Sequence, residues 1–254
     1  MVRRLHTPTL SVGQISLDPA QARHARDVLR LKEGDQVELF DDAGAVAVGT
    51  LLFLGPKDVA ARIDRLNPPP SSDGLRLIVA SAVPKGERAD WMVEKLSELG
   101  VAAFIPLTTE RSVVKPEGKN KRERWARIAT ESAKQSRRAG VMRVEELQPL
   151  ADVVRNNRPA YYLSTSTGAK AIWEALSVAK EFELTLLIGP EGGWTDAETL
   201  LFADAGIGGL RLTDTILRVE TAAIAAAAVA LLSSDRAIRQ SISPRSREVA
   251  KNST

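Results

Sequence analysis

The sequence predicts an α/β protein in which a small β-rich domain precedes a parallel-sheet domain, and three observations carry that expectation. Apolar runs of strand length (Leu75–Ala82, Val101–Leu107, Leu184–Ile188) alternate with amphipathic helical stretches, as in strands buried on both faces and joined by helices. Residues 1–66 instead hold several short strand patterns and a single helical one. Between them, Asn67-Pro68-Pro69-Pro70-Ser71-Ser72-Asp73-Gly74 forms a semi-rigid extended spacer.

Composition removes several chemistries. The 254 residues, 44% of them hydrophobic, suffice for one large or two modest cores. No cysteine is present, which excludes thiol nucleophiles, disulfides and cysteine-ligated zinc. His6 and His24 are the only histidines, so neither a histidine-rich metal site nor a Ser-His-Asp triad is expected. The start, MVRRLHTPTL, has no apolar secretory core, and no apolar run approaches the roughly 20 residues of a membrane span. A soluble, cytoplasmic protein without metal is the expectation. The formal charge of +3 points only weakly to nucleic acid; its clustering says more. Arg3 and Arg4, Arg23 to Lys32, Lys115 to Arg127, Arg137 and Arg138, and the tail from Arg236 to Lys251 carry the excess, each readable also as a solvated face.

In chain order, Asp18-Pro19-Ala20 opens a helix with Ala22, Ala25, Val28 and Leu29 on one side and Arg23, His24, Arg26 and Arg30 elsewhere. His24 reads either as a hydrogen-bonded surface residue or, given its flanking arginines, as an RNA-backbone contact. Strands follow at Val37–Phe40, Val46–Leu54 and Val59–Ile63, the first two joined by the turn Asp41-Asp42-Ala43-Gly44. In the second domain, the strand Leu75–Ala82 leads past Lys85, a phosphate contact or an idle loop lysine, into helix Glu87–Leu99, which Gly100 stops. The helix Lys119–Arg138 turns Trp125, Ile128, Ala129 and Ser132 inward and Lys121, Arg122, Arg124 and Arg127 outward, a candidate backbone-binding ridge. Strand Tyr161–Ser166 ends in small polar residues, but GxxxxGK[ST] is absent, which argues against a P-loop.

The most informative stretch is Leu184–Leu232. A buried strand empties into Gly189-Pro190-Glu191-Gly192-Gly193, and Thr195 with Glu198 marks a helix start. Its glycines and proline let backbone groups of this loop approach a flat or polar ligand. A second strand, Leu210–Leu212, runs through Thr213-Asp214-Thr215-Ile216-Leu217-Arg218 into the alanine-rich helix Glu220–Leu232. That helix is too short for a membrane span, and its small side chains suit close packing. The tail from residue 237 lacks apolar periodicity and is expected to be disordered.

GPEGG at 189–193 and ILRVETA at 216–222 resemble the SPOUT superfamily of S-adenosylmethionine-dependent RNA methyltransferases, most closely the bacterial uridine-N3 methyltransferases of small-subunit ribosomal RNA. VPKGERADWMVEKLSELGV at 83–101, PLTTERSVVK at 106–115, ESAKQSRR at 131–138 and HARDVLRLKEGDQVELFD at 24–41 extend the resemblance over nearly the whole chain. Thr213 departs from it, standing where the family usually has glycine. The resemblance implies a trefoil-knotted SPOUT methyltransferase domain at 75–236, a PUA-like RNA-binding β-barrel at 1–66, the linker at 67–74 and a basic tail at 237–254. It also implies a homodimer and 16S ribosomal RNA in the assembled small subunit as the partner. S-adenosylmethionine would lie among Leu163, Ser164 and Thr165, Ile188, Gly189, Pro190, Glu191 and Gly192, and Leu212, Ile216 and Leu217. RNA contacts would fall to Arg3, Arg4, His24, Arg26, Arg30, Lys85, Arg111, Arg137 and Arg138.

For chemistry, methyl transfer to uridine N3 needs alignment and removal of the N3 proton. Arg218 is the candidate for electrostatic positioning and Glu220 for proton acceptance or for orienting Arg218. The other reading makes Glu220 a first-turn helix acid that Arg218 simply pairs with. Rival functions are ribose 2′-O-methylation by a SPOUT enzyme and a noncatalytic ribosome assembly factor.

Overall fold

The structure is a computed structural model that describes residues 2–55, 57–69, 74–114, 119–156, 159–177 and 182–234. The tail expected from 237 and the middle of the proline-rich spacer lie outside the described residues. The chain divides into two units, residues 1–71 with 129–142, and 72–128 with 143–254. The first break falls in the spacer; the grouping of 129–142 with the first unit has no counterpart in the sequence pattern, which runs through it as one amphipathic helix.

The first unit is a five-stranded sheet in the order β1-β3-β4-β5-β2, formed by β1 (Arg3–His6), β2 (Gly13–Ser16), β3 (Gln36–Phe40), β4 (Val46–Phe53) and β5 (Val59–Asn67). Only β1 and β3 run parallel; the other pairs are antiparallel. The turn between β3 and β4 is set by the buried carboxylate of Asp41. Its Oδ1 accepts from the N–H groups of Gly44 and Ala45 at 2.9 Å, and its Oδ2 from Leu10 at 3.1 Å. Leu5, Leu39, Leu51 and Ile63 form the core against Ala22 and Ala25. Those alanines lie on α1 (Pro19–Arg23), which Asp18 caps by accepting from Ala20 and Gln21, and on the π-helical turn His24–Val28 that continues it. The wider turn explains one departure from the sequence pattern. A 3.6-residue period puts Val28 inward, but the π turn carries an extra residue and leaves Val28 65% exposed.

Arg4 takes a structural place in this unit. Its side chain is 7% exposed, pairs with Glu38 at 2.9 Å and lies 4.0 Å over the Phe40 ring. Its other nitrogens donate to the carbonyls of Ala133 and Arg138 at 3.1 and 2.9 Å, orphan acceptors of the kind found at a helix C-terminus. Burial holds its pKa below the ordinary arginine value, with Glu38 working in the opposite direction.

The second unit is an eight-stranded parallel sheet. Its elements are β6 (Arg76–Ala82), α2 (Glu87–Leu99), β7 (Ala103–Thr108), α3 (Lys119–Ser136, whose last part belongs to the first unit), β8 (Arg143–Val144), β9 (Gln148–Pro149) and α4 (Leu150–Arg155). They continue with β10 (Ala160–Leu163), β11 (Lys170–Ala171), α5 (Ile172–Ser177), β12 (Glu183–Ile188), α6 (Asp196–Asp204), β13 (Gly208–Arg211) and α7 (Val219–Ser234). The strand order is β11-β13-β10-β12-β6-β7-β8, with β9 also on β7. Because the strands are parallel, the loops leaving β10, β12 and β13 open at the same edge.

Helix α2 carries Met92, Val93 and Leu96 into the core and ends at Gly100, whose φ of 98° is the left-handed stop expected from sequence. Trp125 on α3 is buried, meets Phe104 edge-on at 5.7 Å and donates Nε1 to Asp90 at 2.9 Å; Arg124 pairs with the other oxygen of Asp90. Arg122 pairs with Glu146 at 2.7 Å, so the expected basic ridge is partly neutralised by acids of its own unit. In α7, Ala223, Ala226, Ala227 and Ala230 are buried, and the helix packs on α2, β6 and β12. Among the described residues no helix is long and apolar enough to cross a membrane.

Replacing Arg4 with alanine removes the donor to two carbonyls and the nearer of the two cations on Glu38, leaving only Arg137 at 3.3 Å, and loss of this buried arrangement is expected to destabilise by about 3 kcal/mol. Urea unfolding of Arg4→Ala measures it; a loss below about 1 kcal/mol, the scale of an exposed pair, would contradict the structural role.

Candidate functional site

The three loops after β10, β12 and β13 enclose a cavity of about 600 Å³, within the range of small-molecule sites. Leu163, Ser164 and Thr165 line it from the first loop, Ile188 to Gly192 from the second, and Leu212, Ile216 and Leu217 from the third. Every residue that the resemblance assigns to the cofactor therefore meets the others at one place.

Trp194, which the sequence reading passed over, sets how close the first two loops come. Its indole Nε1 donates to the Leu163 carbonyl at 2.9 Å, joining the loop after β12 to the end of β10. The ring lies flat enough on Gly189 that a Cβ there would sit 2.9 Å from it, so residue 189 must be glycine for this approach. Beneath it, Trp194 meets Phe202 edge-on at 5.0 Å, and Tyr162 stacks on Phe202 at 4.4 Å. Gly193, with φ of 68°, closes the turn by donating its N–H to the Pro190 carbonyl.

Thr195 then starts α6 as the sequence predicts: its hydroxyl accepts from the Glu198 N–H at 3.2 Å and the Glu198 carboxylate accepts from the Thr195 N–H at 2.9 Å. A fourth loop joins the site. Arg111, after β7, lines the cavity and donates Nη1 to the Gly192 carbonyl at 2.7 Å, while the Glu110 N–H donates to Glu198 at 2.9 Å. No pattern in the sequence signals these contacts, because the residues they join are more than 80 positions apart.

In the third loop, Thr213 lines the cavity, and its hydroxyl donates back to the Thr215 carbonyl at 2.8 Å. The extra side chain is thus accommodated by its own turn. Asp214 pairs with Arg211, and Ile216 is 85% exposed.

Arg218 and Glu220 are placed differently from each other. Arg218 is exposed and, among the described residues, has no ion-pair partner; it does not line the cavity, although Val219 does. Glu220 is 4% exposed, and its Oε1 accepts from Arg88 at 3.4 Å, while Oε2 has no hydrogen-bond partner among the described residues. The expected pairing of Arg218 with Glu220 is not formed. Residues two apart at a helix start point to different sides, and Glu220 turns toward α2, where Arg88 meets it.

The residues expected to touch RNA divide by exposure. Arg3, Arg30, Lys85, Arg111 and Arg137 are exposed, and His24 and Arg26 half-buried. Arg26 is bonded to Asp27 at 2.7 Å, which raises its pKa. Arg137 lies 3.3 Å from Glu38. Arg4 points inward, and burial lowers the pKa of Arg138 to about 10. Arg30 and Arg137 both hold left-handed backbone, φ 54° and 56°, which costs a non-glycine residue about 1 kcal/mol. Among the described residues no three acidic or histidine side chains gather as a metal site.

The family model of the RNA methyltransferase domain matches residues 71–231, and that of the RNA methyltransferase PUA domain matches residues 17–64. The ribosomal RNA small subunit methyltransferase E of Bacillus subtilis is 32% identical over 218 residues, covering 82% of this chain and 85% of that protein. The protein of the same name from Synechocystis is 34% identical over 228 residues, covering 82% and 69%. A Legionella pneumophila methyltransferase solved with its bound cofactor S-adenosylmethionine superposes with a TM-score of 0.80 at 30% identity, covering 91% of this chain and 97% of that one. The Neisseria gonorrhoeae ribosomal RNA small subunit methyltransferase E, solved with S-adenosylmethionine, gives 0.77 at 28% identity, covering 90% and 96%. With its cavity built from three loops of a parallel sheet and its similarity running through both units, the chain belongs to the ribosomal RNA small subunit methyltransferase E family of RNA methyltransferases.

Proposed function

We propose that this protein transfers a methyl group from S-adenosylmethionine to N3 of a uridine in 16S ribosomal RNA of the small subunit. The carrying observation is the single cavity into which three strand-end loops converge, in a chain whose relatives bear the name of a small-subunit ribosomal RNA methyltransferase. The residues present fit the cofactor. The volume of about 600 Å³ suits a nucleoside with an amino-acid arm, and the wall at Gly189 and Gly192 offers backbone donors and acceptors. Glu191 and Asp214, both on the cavity lining, bring carboxylates that could meet the cofactor's positive charges. When bound, the cofactor supplies an electrophilic methyl group, so alignment and proton removal are what the chain must add.

Uridine N3 lies on the pairing edge, and the target base must be unpaired or flipped out to reach the cavity. Arg218, exposed beside the cavity-lining Val219, can stabilise the anionic imide that forms as N3 loses its proton. Glu220 is buried against Arg88, and that position suits a group that fixes the start of α7 better than one that meets the base. RNA backbone contacts fall to the exposed cations Arg3, Arg30, Arg137 and Lys85, with His24 and Arg26 on the π turn; Arg4 and Arg138 serve the fold instead. Arg111, which lines the cavity, would face the RNA side of the site. The protein acts as a homodimer in the cytoplasm, where its ribosomal substrate is.

Incubation with labelled S-adenosylmethionine and small subunits from a strain lacking this gene, followed by nucleoside mass spectrometry, is expected to yield N3-methyluridine. Ribose methylation would place the protein among the 2′-O enzymes, and cofactor binding without transfer would make it an assembly factor. In the same assay Arg218→Ala is expected to lower kcat by about 100-fold, the scale of removing one transition-state donor, with cofactor affinity unchanged by calorimetry; undiminished turnover in the folded variant would remove Arg218 from the mechanism.

A further inference from the structure

A carboxylate outside the cavity ties two of its loops together. Glu198, in the first turn of α6 and 8% exposed, has both oxygens engaged by backbone N–H groups. Oε2 accepts from Thr195, as a helix cap requires, and Oε1 accepts from Glu110 at 2.9 Å, in the loop after β7. The second bond does nothing for the helix: capping needs only one acceptor here. What it holds is a tight turn in which the Thr109 N–H donates to the Ser112 hydroxyl at 3.0 Å and the Ser112 N–H donates to the Thr109 carbonyl at 3.2 Å. From that turn Arg111 reaches back to the Gly192 carbonyl at 2.7 Å and weakly to that of Trp194 at 3.4 Å. The circuit closes through Trp194 and Thr195 onto Glu198 itself.

The fit within this circuit is close. A Cβ on Gly192 would lie 3.2 Å from the Arg111 Cδ, so the arginine stem packs directly on the glycine backbone. A shift of the 109–112 turn by a few tenths of an ångström would therefore carry the 190–194 loop, and the cavity wall, with it.

We propose that Glu198 is a positioning residue for cofactor binding: by holding the Glu110 N–H it sets Arg111 against Gly192, and so fixes the loop that the cofactor must meet. This rests on the reading of the cavity as the S-adenosylmethionine site. The substitution Glu198→Gln is nearly isosteric, yet an amide has one acceptor oxygen and must turn its NH₂ toward the other N–H. It removes one bond of the two without opening a void. Thr195→Ala is the matched control, since it weakens the cap of α6 and leaves the Glu198 carboxylate in place.

Titration calorimetry of the full chain with S-adenosylmethionine, with melting temperatures alongside, tests the proposal. Glu198→Gln is expected to weaken binding about tenfold, the scale of leaving one partly buried N–H unpaired, and to raise the KM for cofactor while kcat at saturation stays within about threefold. Thr195→Ala should lower the melting temperature with affinity within about twofold. Arg111→Ala, on an exposed side chain, should weaken binding to a similar degree. The double variant should bind no worse than the weaker single, because both break one circuit. Normal binding by Glu198→Gln or by Arg111→Ala, or losses that multiply in the double variant, would overturn the proposal while the parent still binds. A parent chain that fails to bind would instead overturn the cofactor reading itself, and the proposal with it.

Discussion

The cavity depends on an indole resting on a residue with no side chain. Trp194 lies against Gly189 and donates to the Leu163 carbonyl, which brings the ends of β12 and β10 into register. An alanine at 189 would put a methyl within 2.9 Å of the ring, and the tryptophan would have to leave its edge-on contacts with Phe202 and Tyr162 or lose its hydrogen bond. The same logic recurs at Gly209, where a Cβ would meet Tyr162 at 2.8 Å. Gly189 just past β12 and Gly209 in β13, on either side of β10, thus admit an aromatic layer, and that layer fixes the floor on which the loops stand.

Parallel strands explain why the site is where it is. Strands β10, β12 and β13 all point the same way, so their following loops open at one edge with no further device. The alanine face of α7 lets the closing helix lie near α2 and the sheet, and at its first turn Glu220 meets Arg88. A carboxylate so placed answers to the fold first. Arg218, two residues earlier and free of that contact, is exposed to solvent.

Much of this was legible in the sequence where a local pattern carried it. The apolar strands, the helix stop at Gly100 and the capping box at Thr195 and Glu198 needed only nearest neighbours in the chain to be read. That Leu163 to Thr165, Ile188 to Gly192, and Leu212, Ile216 and Leu217 belong together came from the family resemblance, and the fold brings them to one cavity. Strands β8, β9 and β11 are two residues each, too short for any periodicity to show. The π turn escaped because it changes the helical period midway, sending Val28 outward. Trp194, Arg111 and Glu198 gained their second roles from partners 31, 81 and 88 positions away. Spacing rules have no access to such pairs.

Arginine shows the limit most clearly. Arg3 and Arg4 are adjacent in a strand, so their side chains leave opposite faces of the sheet. One is exposed; the other is enclosed by Glu38, Phe40 and two carbonyls. Arg137 and Arg138 divide the same way, the first exposed on left-handed backbone and the second buried enough for its pKa to fall to about 10. A basic cluster in a sequence is therefore a sum of two populations with different tasks. Strand alternation separates Arg3 from Arg4, while the left-handed turn past the end of α3 separates Arg137 from Arg138, and the more exposed member of each pair is the one available to a phosphate chain.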